Sequence, residues 1–297
     1  MQLSCLHSIF CNGLRDGIRM PWCCILNLLN PDMKSYGITE RKEGLSDFER
    51  ILESITLKGY HVEEAYLDEN VCNEFQDALE RVYDVQKEEF TENGLASIQE
   101  SDMVRMPFAY ARKFTELFMD DFVLKVVRRM LGANVNLHLQ NAIINRPNKE
   151  HHQTSWHRDL PYQDYVISKP LGLNAFYCLS DFKEETGSTF LLPFSHKIDH
   201  FPSIEFVEEN AVQLEAKKGS LVFFDSMIYH KAGYNSSVED RYGVNHLFVA
   251  PILKQQIDLP AFLGDEFTED ESMRAVLGYS FKTPKSVLDF RNRRANK

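Results

Sequence analysis

Two side chains separated by one residue carry the first chemical signal in this chain. His157 and Asp159 stand in Ser155-Trp-His-Arg-Asp159, and side chains two positions apart in an extended strand project from the same face. One imidazole and one carboxylate on one face are two of the three ligands in the facial triad that holds non-haem Fe(II). An H-x-D pair alone is weak evidence, because ten His and 44 acidic residues produce such a pair by chance fairly often.

A distal histidine and an arginine strengthen the pattern. Gly219-Ser-Leu-Val-Phe-Phe-Asp225 is typical of a strand with a glycine entry, His230 follows it, and Arg241 lies eleven residues beyond His230. A cosubstrate that chelates the metal through a keto-acid end needs a bidentate cation at its remote carboxylate. The planar fork of Arg suits a carboxylate better than Lys does. The pattern therefore predicts a site that holds iron and a dicarboxylate together.

Further polar residues near these motifs are candidates for the same site. Arg241, Gly243 and Asn245 alternate along one strand, so Asn245 is predicted to face the cavity that Arg241 faces and to bind the cosubstrate. Tyr162 and Gln163 follow the metal motif and are candidates for substrate contact on a loop. For each of them, an ordinary polar residue of a strand or loop is the competing interpretation.

From about Gly59 to Pro251, the sequence resembles the phytanoyl-CoA dioxygenase-like family of Fe(II)/2-oxoglutarate-dependent oxygenases. Four motifs carry the resemblance: Gly59-Tyr60 before an acidic helix, Trp156-His-Arg-Asp159, Glu185-Thr-Gly-Ser-Thr-Phe-Leu-Leu-Pro-Phe-Ser-His-Lys197, and His230 with Arg241. No single motif is specific, but together they are. The resemblance implies a double-stranded β-helix, or jelly roll, backed by helices.

The same resemblance assigns roles to the residues. It implies that His157, Asp159 and His230 bind Fe(II) and that Arg241 binds 2-oxoglutarate. The partners implied are O2 and a small organic substrate, which would be hydroxylated with release of succinate and CO2. A carboxylate at Asp159 favours hydroxylation, since the halogenating members have Gly or Ala at that position to leave room for chloride.

Two positions depart from the family pattern. Phe194 stands where the family often has Gly, which predicts a different shape for that loop. Ala232, two residues beyond His230, stands where many members have a Ser that helps to bind 2-oxoglutarate. We expect Tyr or Asn side chains to compensate for the missing hydroxyl.

Two other function classes stay open at this stage. A jelly-roll metalloenzyme that does not use 2-oxoglutarate, as in many cupins, predicts metal binding without succinate formation. A non-catalytic small-molecule-binding relative would keep the pocket but lose turnover; the intact triad argues against it, and Ala232 argues slightly for it. For Arg241, the competing interpretation is a surface ion pair with Glu239 or Asp240.

The elements that must position these residues follow an α+β order. A capping box at Ser46-Asp-Phe-Glu49 predicts a helix that ends at Gly59, and further helices are predicted from about Asp68 to Asn93 and from Asp120 to Leu131. After Gly132 the predicted elements are strands (Val135 to Asn145, Gly172 to Leu179, Ser188 to Leu192, Ser220 to Phe224 and Tyr242 to Val249). Helices followed by strands predict a helix-backed antiparallel sandwich or barrel.

The predicted organisation is a leader followed by one domain. Residues 1–42 carry no sustained periodicity and are predicted to be a poorly ordered leader, with Met20 and Met33 as alternative starts to Met1. Residues 43–297 form the oxygenase domain, with a helical part (43–132), a jelly-roll core (133–251) and a C-terminal extension (252–297).

Charge and composition argue against a nucleic-acid-binding protein and a membrane-spanning protein. The net charge is −11, and the segment from Tyr60 to Asp102 holds 13 acidic residues against only Arg81 and Lys87. The rest of the chain is therefore neutral, without the basic footprint of a nucleic-acid-binding protein. No apolar run reaches the roughly 18 residues of a membrane span. The six cysteines form no C-x-x-C pair, which predicts a reducing, cytoplasmic location.

Overall fold

A computed structural model describes residues 44–149, 152–160 and 164–295 of the chain. The predicted leader, 1–42, lies outside the described residues. The helices and strands, in chain order, are α1 (Asp47–Lys58), β1 (Tyr60–Glu63), α2 (Glu69–Phe90), α3 (Glu92–Ser97), β2 (Met103–Arg105), α4 (Pro107–Tyr110), α5 (Thr115–Phe118), α6 (Asp121–Leu131), β3 (Asn136–Asn145), β4 (Gly172–Cys178), β5 (Phe190–Leu191), α7 (Ile204–Asn210), β6 (Val212–Gln213), β7 (Leu221–Asp225), β8 (His230–Lys231), β9 (Arg241–Val249), α8 (Leu259–Leu263), α9 (Glu271–Val276) and α10 (Val287–Ala295).

The first helix forms as its sequence predicts. The Ser46 hydroxyl accepts a hydrogen bond from the Glu49 backbone N–H while the Glu49 carboxylate accepts one from the Ser46 N–H, so two of the free N–H groups at the helix start are satisfied. Gly59 ends the helix in the left-handed region at φ +94°. A Cβ at this position would lie 2.7 Å from Nδ1 of His196, so only glycine fits both the angle and the space.

The acidic segment is largely a solvated helix face. The apolar side of α2 buries Phe75, Leu79 and Val82, and most of its carboxylates point into solvent. Glu80 is the exception, since it is half-buried and pairs with Arg146 at 2.9 Å. The charge of this flank therefore reflects helix amphipathicity more than a binding surface.

The strands form two antiparallel sheets. The larger has the order β1-β7-β4-β9-β3-β2 and the smaller has the order β6-β5-β8. The chain is thus a mixed assembly of helices and antiparallel sheets. In the register of the larger sheet, Asn145 lies opposite Arg241 and Asn174 lies opposite Leu247.

Two short strands lie inside the segment that the sequence predicts to be helical. Tyr60–Glu63 pairs with β7, and Met103–Arg105 pairs with β3. Each strand has at most four residues, which is too short for the period-2 alternation that identifies strands in a sequence. Pairing with distant strands, rather than local propensity, decides their structure.

The larger sheet buries both of its faces. On one face, Leu173 and Ala175 of β4 share a core with Phe75 of α2 and Val123 and Val127 of α6. On the other face, alternate residues of β4 and β7 share a second core with the smaller sheet; its members include Phe176, Val222, Phe224, Leu191 and Leu214. The site described below lies on this second face.

The sequence also predicts a reducing, cytoplasmic location and no membrane span. Cys72 and Cys178 are buried free thiols, and the cytoplasmic location stays a prediction. In the described part of the chain, no helix combines the length and the apolar character that crossing a membrane requires.

The loop at Phe194 keeps a left-handed backbone without glycine. Phe194 has φ +68°, and 61% of its surface is exposed. We expect Phe194→Gly to raise the free energy of unfolding by about 1 kcal/mol, because it removes the Cβ clash of a left-handed residue and loses little burial. Thermal unfolding should show a midpoint higher by about 2–4 °C. Phe194→Ala keeps the Cβ and is the control; an equal gain in both variants would contradict the strain explanation.

Candidate functional site: a metal and dicarboxylate cavity

The predicted ligands converge at one point. Atoms of His157, Asp159 and His230 that can bind a metal all lie within 4.8 Å of one another. Oδ1 of Asp159 lies 3.4 Å from Nε2 of His230 and 3.9 Å from Nε2 of His157. His157 is held by an isolated antiparallel bridge to His230, with N–O distances of 3.0 Å in both directions. A bridge to β8, rather than a regular strand, thus brings the three side chains together.

Backbone carbonyls orient both imidazoles. Nδ1 of His157 lies 2.8 Å from the Ser155 carbonyl oxygen, and Nδ1 of His230 lies 3.0 Å from the Ile228 carbonyl oxygen. A carbonyl oxygen only accepts, so each Nδ1 carries the proton and each Nε2 presents a lone pair. This is the arrangement that metal-binding histidines adopt.

The carboxylate of Asp159 is held by two amides. Nδ2 of Asn174 and Nδ2 of Asn245, the latter at 3.2 Å, both donate to Oδ2 of Asp159. Burial alone would raise the pKa of Asp159, but His230, His157 and Asn174 outweigh it and hold that pKa below its usual range. Asp159 also raises the pKa of His230 against the effect of burial. The site is therefore an anionic centre suited to a cation.

Arg158, between the two ligands, points the other way and anchors their segment. Its guanidinium donates to the carbonyl oxygens of Met227 at 2.7 Å, Ser195 at 2.9 Å and Ile198. It also lies 3.9 Å from the centre of the Tyr229 ring. The H-x-D segment is thus tied to the turn before His230 and to the Pro-Phe-Ser-His segment.

Arg241 is buried without an anionic partner. It is 1% exposed, its Nε and Nη1 atoms have no hydrogen-bond partner in the described residues, and its guanidinium lies over the Phe182 ring at 4.4 Å. Asp240 pairs instead with Arg146 at 2.6 Å, so the surface ion pair considered above does not form. Burial lowers the pKa of Arg241 to about 10. An unpaired buried cation is costly and indicates a missing anion.

One cavity between the two sheets joins these groups. Its walls include Asp159, His230, Asn245 and Arg241, with apolar side chains such as Phe176 between them. The cavity therefore has a metal-binding end, an apolar middle and a cationic end, which matches a keto acid with a remote carboxylate.

Across the smaller sheet, Thr189 stands beside Ala232. The register pairs Leu191 with His230 and Phe190 with Lys231, so the next pair in the ladder is Thr189 with Ala232. Both residues line the cavity. Thr189 thus lies next to Ala232, which has no hydroxyl, and the Tyr or Asn expected from the sequence to compensate stays a prediction.

A sequence profile of the family described as phytanoyl-CoA dioxygenase (PhyH) matches residues 55–243. This match spans more than half of the 297 residues. The chain belongs to the phytanoyl-CoA dioxygenase family. Enzymes of this family use Fe(II) and 2-oxoglutarate, and the triad and the unpaired Arg241 fit both groups.

Relatives of this phytanoyl-CoA dioxygenase family member are found in bacteria and fungi. The uncharacterized protein Rv1501 of Mycobacterium tuberculosis is 32% identical over 256 residues, or 82% of this chain and 90% of the relative. Dioxygenase af480 of Aspergillus fumigatus is 27% identical over 163 residues, or 52% of this chain and 50% of the relative.

A solved structure shares the fold. The epimerase SnoN in complex with Fe3+, alpha ketoglutarate and nogalamycin RO has a TM-score of 0.54 to this chain at 18% identity, covering 73% of this chain and 89% of SnoN. At this identity the likeness concerns the fold alone. As a family member, the chain is an Fe(II)/2-oxoglutarate-dependent enzyme, and the type of reaction is a separate question.

Two candidates for substrate contact remain from the sequence, and two buried polar residues of the larger sheet were not candidates. Tyr162 and Gln163 lie outside the described residues. His246 is a buried strand histidine that contacts Gln140 at 2.7 Å, and burial lowers its pKa to about 3. Asn174 was not predicted from the sequence, because an amide within an apolar strand has no characteristic spacing.

Proposed function

We propose that this protein is an Fe(II)/2-oxoglutarate-dependent dioxygenase that hydroxylates a small organic molecule and releases succinate and CO2. One observation carries the proposal: the buried guanidinium of Arg241, which has no anionic partner in the described residues, shares a cavity with Asp159 and His230 of the triad. A metalloenzyme without a dicarboxylate cosubstrate has no use for an uncompensated cation at that position. The cupin-like alternative is therefore less consistent with the site.

Each residue has a defined task in this proposal. His157 and His230 bind the metal through Nε2, and Asp159 binds it through Oδ1. Arg241 binds the remote carboxylate of 2-oxoglutarate, and the apolar walls exclude water from the cavity. Bound Fe(II) and 2-oxoglutarate supply the oxidising chemistry, and the protein orients them.

Hydroxylation is proposed over other outcomes because of Asp159. The carboxylate fills the ligand position that halogenating relatives leave vacant. The neutral body of the chain favours a substrate without a polyphosphate. SnoN, which shares the fold, is an epimerase, so product analysis must distinguish inserted oxygen from inverted stereochemistry.

We also propose that the two sheets form a double-stranded β-helix. Supporting this, the strands of both sheets are antiparallel, and residues of each, such as Asn245 of β9 and His230 of β8, line the cavity between them. Enclosure of a cavity by two such sheets is the property of jelly rolls that suits them to hold a small ligand.

Thr189 is predicted to bind the same carboxylate as Arg241. Its side chain makes no hydrogen bond within the described residues, and it lies across the ladder from Ala232. Thr189→Val should weaken 2-oxoglutarate binding about 10-fold, the loss of one hydrogen bond to a charged group. Thr189→Ser should keep the affinity, and adding Ala232→Ser to Thr189→Val should restore it. Unchanged affinity in Thr189→Val would exclude this contact.

The proposal is tested by anaerobic titration of the metal-free protein with Fe(II) and then 2-oxoglutarate, followed through the visible charge-transfer band of a chelated 2-oxo acid. The band should form in the natural protein and be absent in His230→Ala. Iron binding without the band would replace the proposal with the cupin-like function. No iron binding at all would leave a non-catalytic binding role. If the band forms, substrates can be screened by succinate release.

A further inference from the structure

We propose that Asn174 is a positioning residue, which makes Asp159 bind the metal through one oxygen only. The inference rests on the proposed function, since it assigns a task within the same metal site. Asn174 lies on β4, is fully buried, and was not among the residues that the sequence pointed to.

The hydrogen bonds around Asp159 divide its two oxygens. Oδ2 accepts from the amides of Asn174 and Asn245, while Oδ1 faces Nε2 of both triad histidines. Nδ2 of Asn174 also donates to Oδ1 of Asn245 at 2.9 Å. A carboxylate whose Oδ2 is occupied by two donors has only Oδ1 for the metal. One coordination position is thereby kept for the cosubstrate or oxygen.

The orientation of the Asn174 amide follows from this network. Both neighbours that its Nδ2 contacts are acceptors, so a rotated amide would place oxygen against oxygen. The consequence is that Oδ1 of Asn174 is buried without a hydrogen-bond partner in the described residues. A buried carbonyl oxygen left without a partner costs stability. The stability of the fold therefore does not explain why this oxygen is present at position 174.

A packing role does not explain this residue. Leu173 and Ala175 flank it, and the strand is buried throughout, so an aliphatic side chain would fit the strand without an unpaired polar atom. When one buried residue of a strand carries an unpaired polar atom and its neighbours are apolar, that residue is a candidate for a functional role. In β4 this residue is Asn174, which contacts Asp159.

The test uses Co(II) as the probe, since its visible d–d absorption reports binding without turnover. Asn174→Leu should bind Co(II) 10- to 100-fold more weakly, as is typical when a group that orients a metal ligand is lost. Its d–d spectrum should also change, because Asp159 becomes free to bind through both oxygens. Loss of a merely structural residue would lower the unfolding temperature but leave the d–d spectrum of the folded, Co(II)-bound variant unchanged, so the spectrum distinguishes the two roles.

Asn136→Leu is the matched control. Asn136 is also a buried strand asparagine with an unpaired Oδ1, but it is not among the triad's contacts, so its variant should bind Co(II) normally. Asn174→Val serves as a second variant in case the leucine prevents folding.

The outcomes separate this inference from the proposed function. Unchanged Co(II) affinity in either folded Asn174 variant, alongside binding by the natural protein, overturns the inference alone. Failure of the natural protein to bind Co(II) overturns the metal site and the inference with it.

Discussion

Replacing Arg241 by Met is expected to weaken 2-oxoglutarate binding at least about 30-fold and, at the same time, to stabilise the metal-free fold. Truncating one partner of a buried, hydrogen-bonded charge pair costs about 2–5 kcal/mol of binding, and about 1.4 kcal/mol corresponds to tenfold in affinity. The loss is measured from the charge-transfer band in an anaerobic titration of the Fe(II) form.

The expected gain in stability follows from the absence of a counterion. The guanidinium is 1% exposed and has no anionic partner in the described residues, so folding without the cosubstrate desolvates a charge that nothing compensates. Methionine is apolar and flexible, and its thioether can pack on the Phe182 ring. Thermal unfolding of the metal-free protein should therefore occur at a higher temperature in the variant.

Arg158→Met is the control, and it is expected to lower the stability of the metal-free protein instead of raising it. Arg158 is equally buried, but its guanidinium donates to backbone carbonyls, so its loss leaves acceptors unpaired and destabilises the fold. An Arg241→Met protein that binds 2-oxoglutarate within threefold of the natural affinity would show that the cosubstrate carboxylate lies elsewhere.

The proximity of the candidate residues could be predicted because it depends on residue types at fixed separations. His157, Asp159, His230 and Arg241 are rare side chains in an arrangement that chance seldom produces. The fold brings the first three within reach of one metal ion, and Asp159, His230 and Arg241 line one cavity. The longer helices and strands were predictable for a similar reason, since their periodicity extends over many residues.

The supporting residues could not be found in this way. Asn174 lies beside Asn245, the other amide that donates to Asp159, only because β4 pairs with β9. Thr189 lies beside Ala232 only through the pairing of β5 with β8. Such neighbours are set by sheet register, which a single sequence does not reveal. The anchoring role of Arg158 could not be predicted either, because the middle residue of an H-x-D motif points away from the two ligands.

Replacing Asp225 by Asn is expected to change how stability depends on pH. Asp225 is 3% exposed, and its Oδ1 accepts a hydrogen bond from the Met227 N–H at 2.9 Å. Burial raises the pKa of its carboxyl from 3.8 to about 6, although Met227, Lys197 and Arg158 act in the opposite direction. The folded protein therefore holds this proton at a pH where the unfolded chain has released it.

The sign of the effect follows from that difference. Below about pH 4 the carboxyl is protonated in both states, and it costs nothing. Between about pH 4 and pH 6 the unfolded chain ionises first, so stability falls, and above about pH 6 the loss levels off at about 3 kcal/mol. Asn cannot ionise, and its carbonyl oxygen can still accept from Met227. The two proteins should unfold alike at pH 4, and the variant should be more stable at pH 7.5.

Urea unfolding at several values between pH 4 and pH 7.5 measures the difference, with Asp164→Asn as a control at an exposed carboxylate. A difference between natural protein and variant that is constant over this range would exclude the raised pKa as its cause.

Asp225 also begins the turn that carries His230, so Fe(II) affinity should be measured alongside. A variant that is more stable yet binds Fe(II) normally would show that the turn needs the hydrogen bond to Met227 and not the charge. Weaker Fe(II) binding would show that the ionised carboxylate helps to place His230, which would explain why a destabilising acid is retained there.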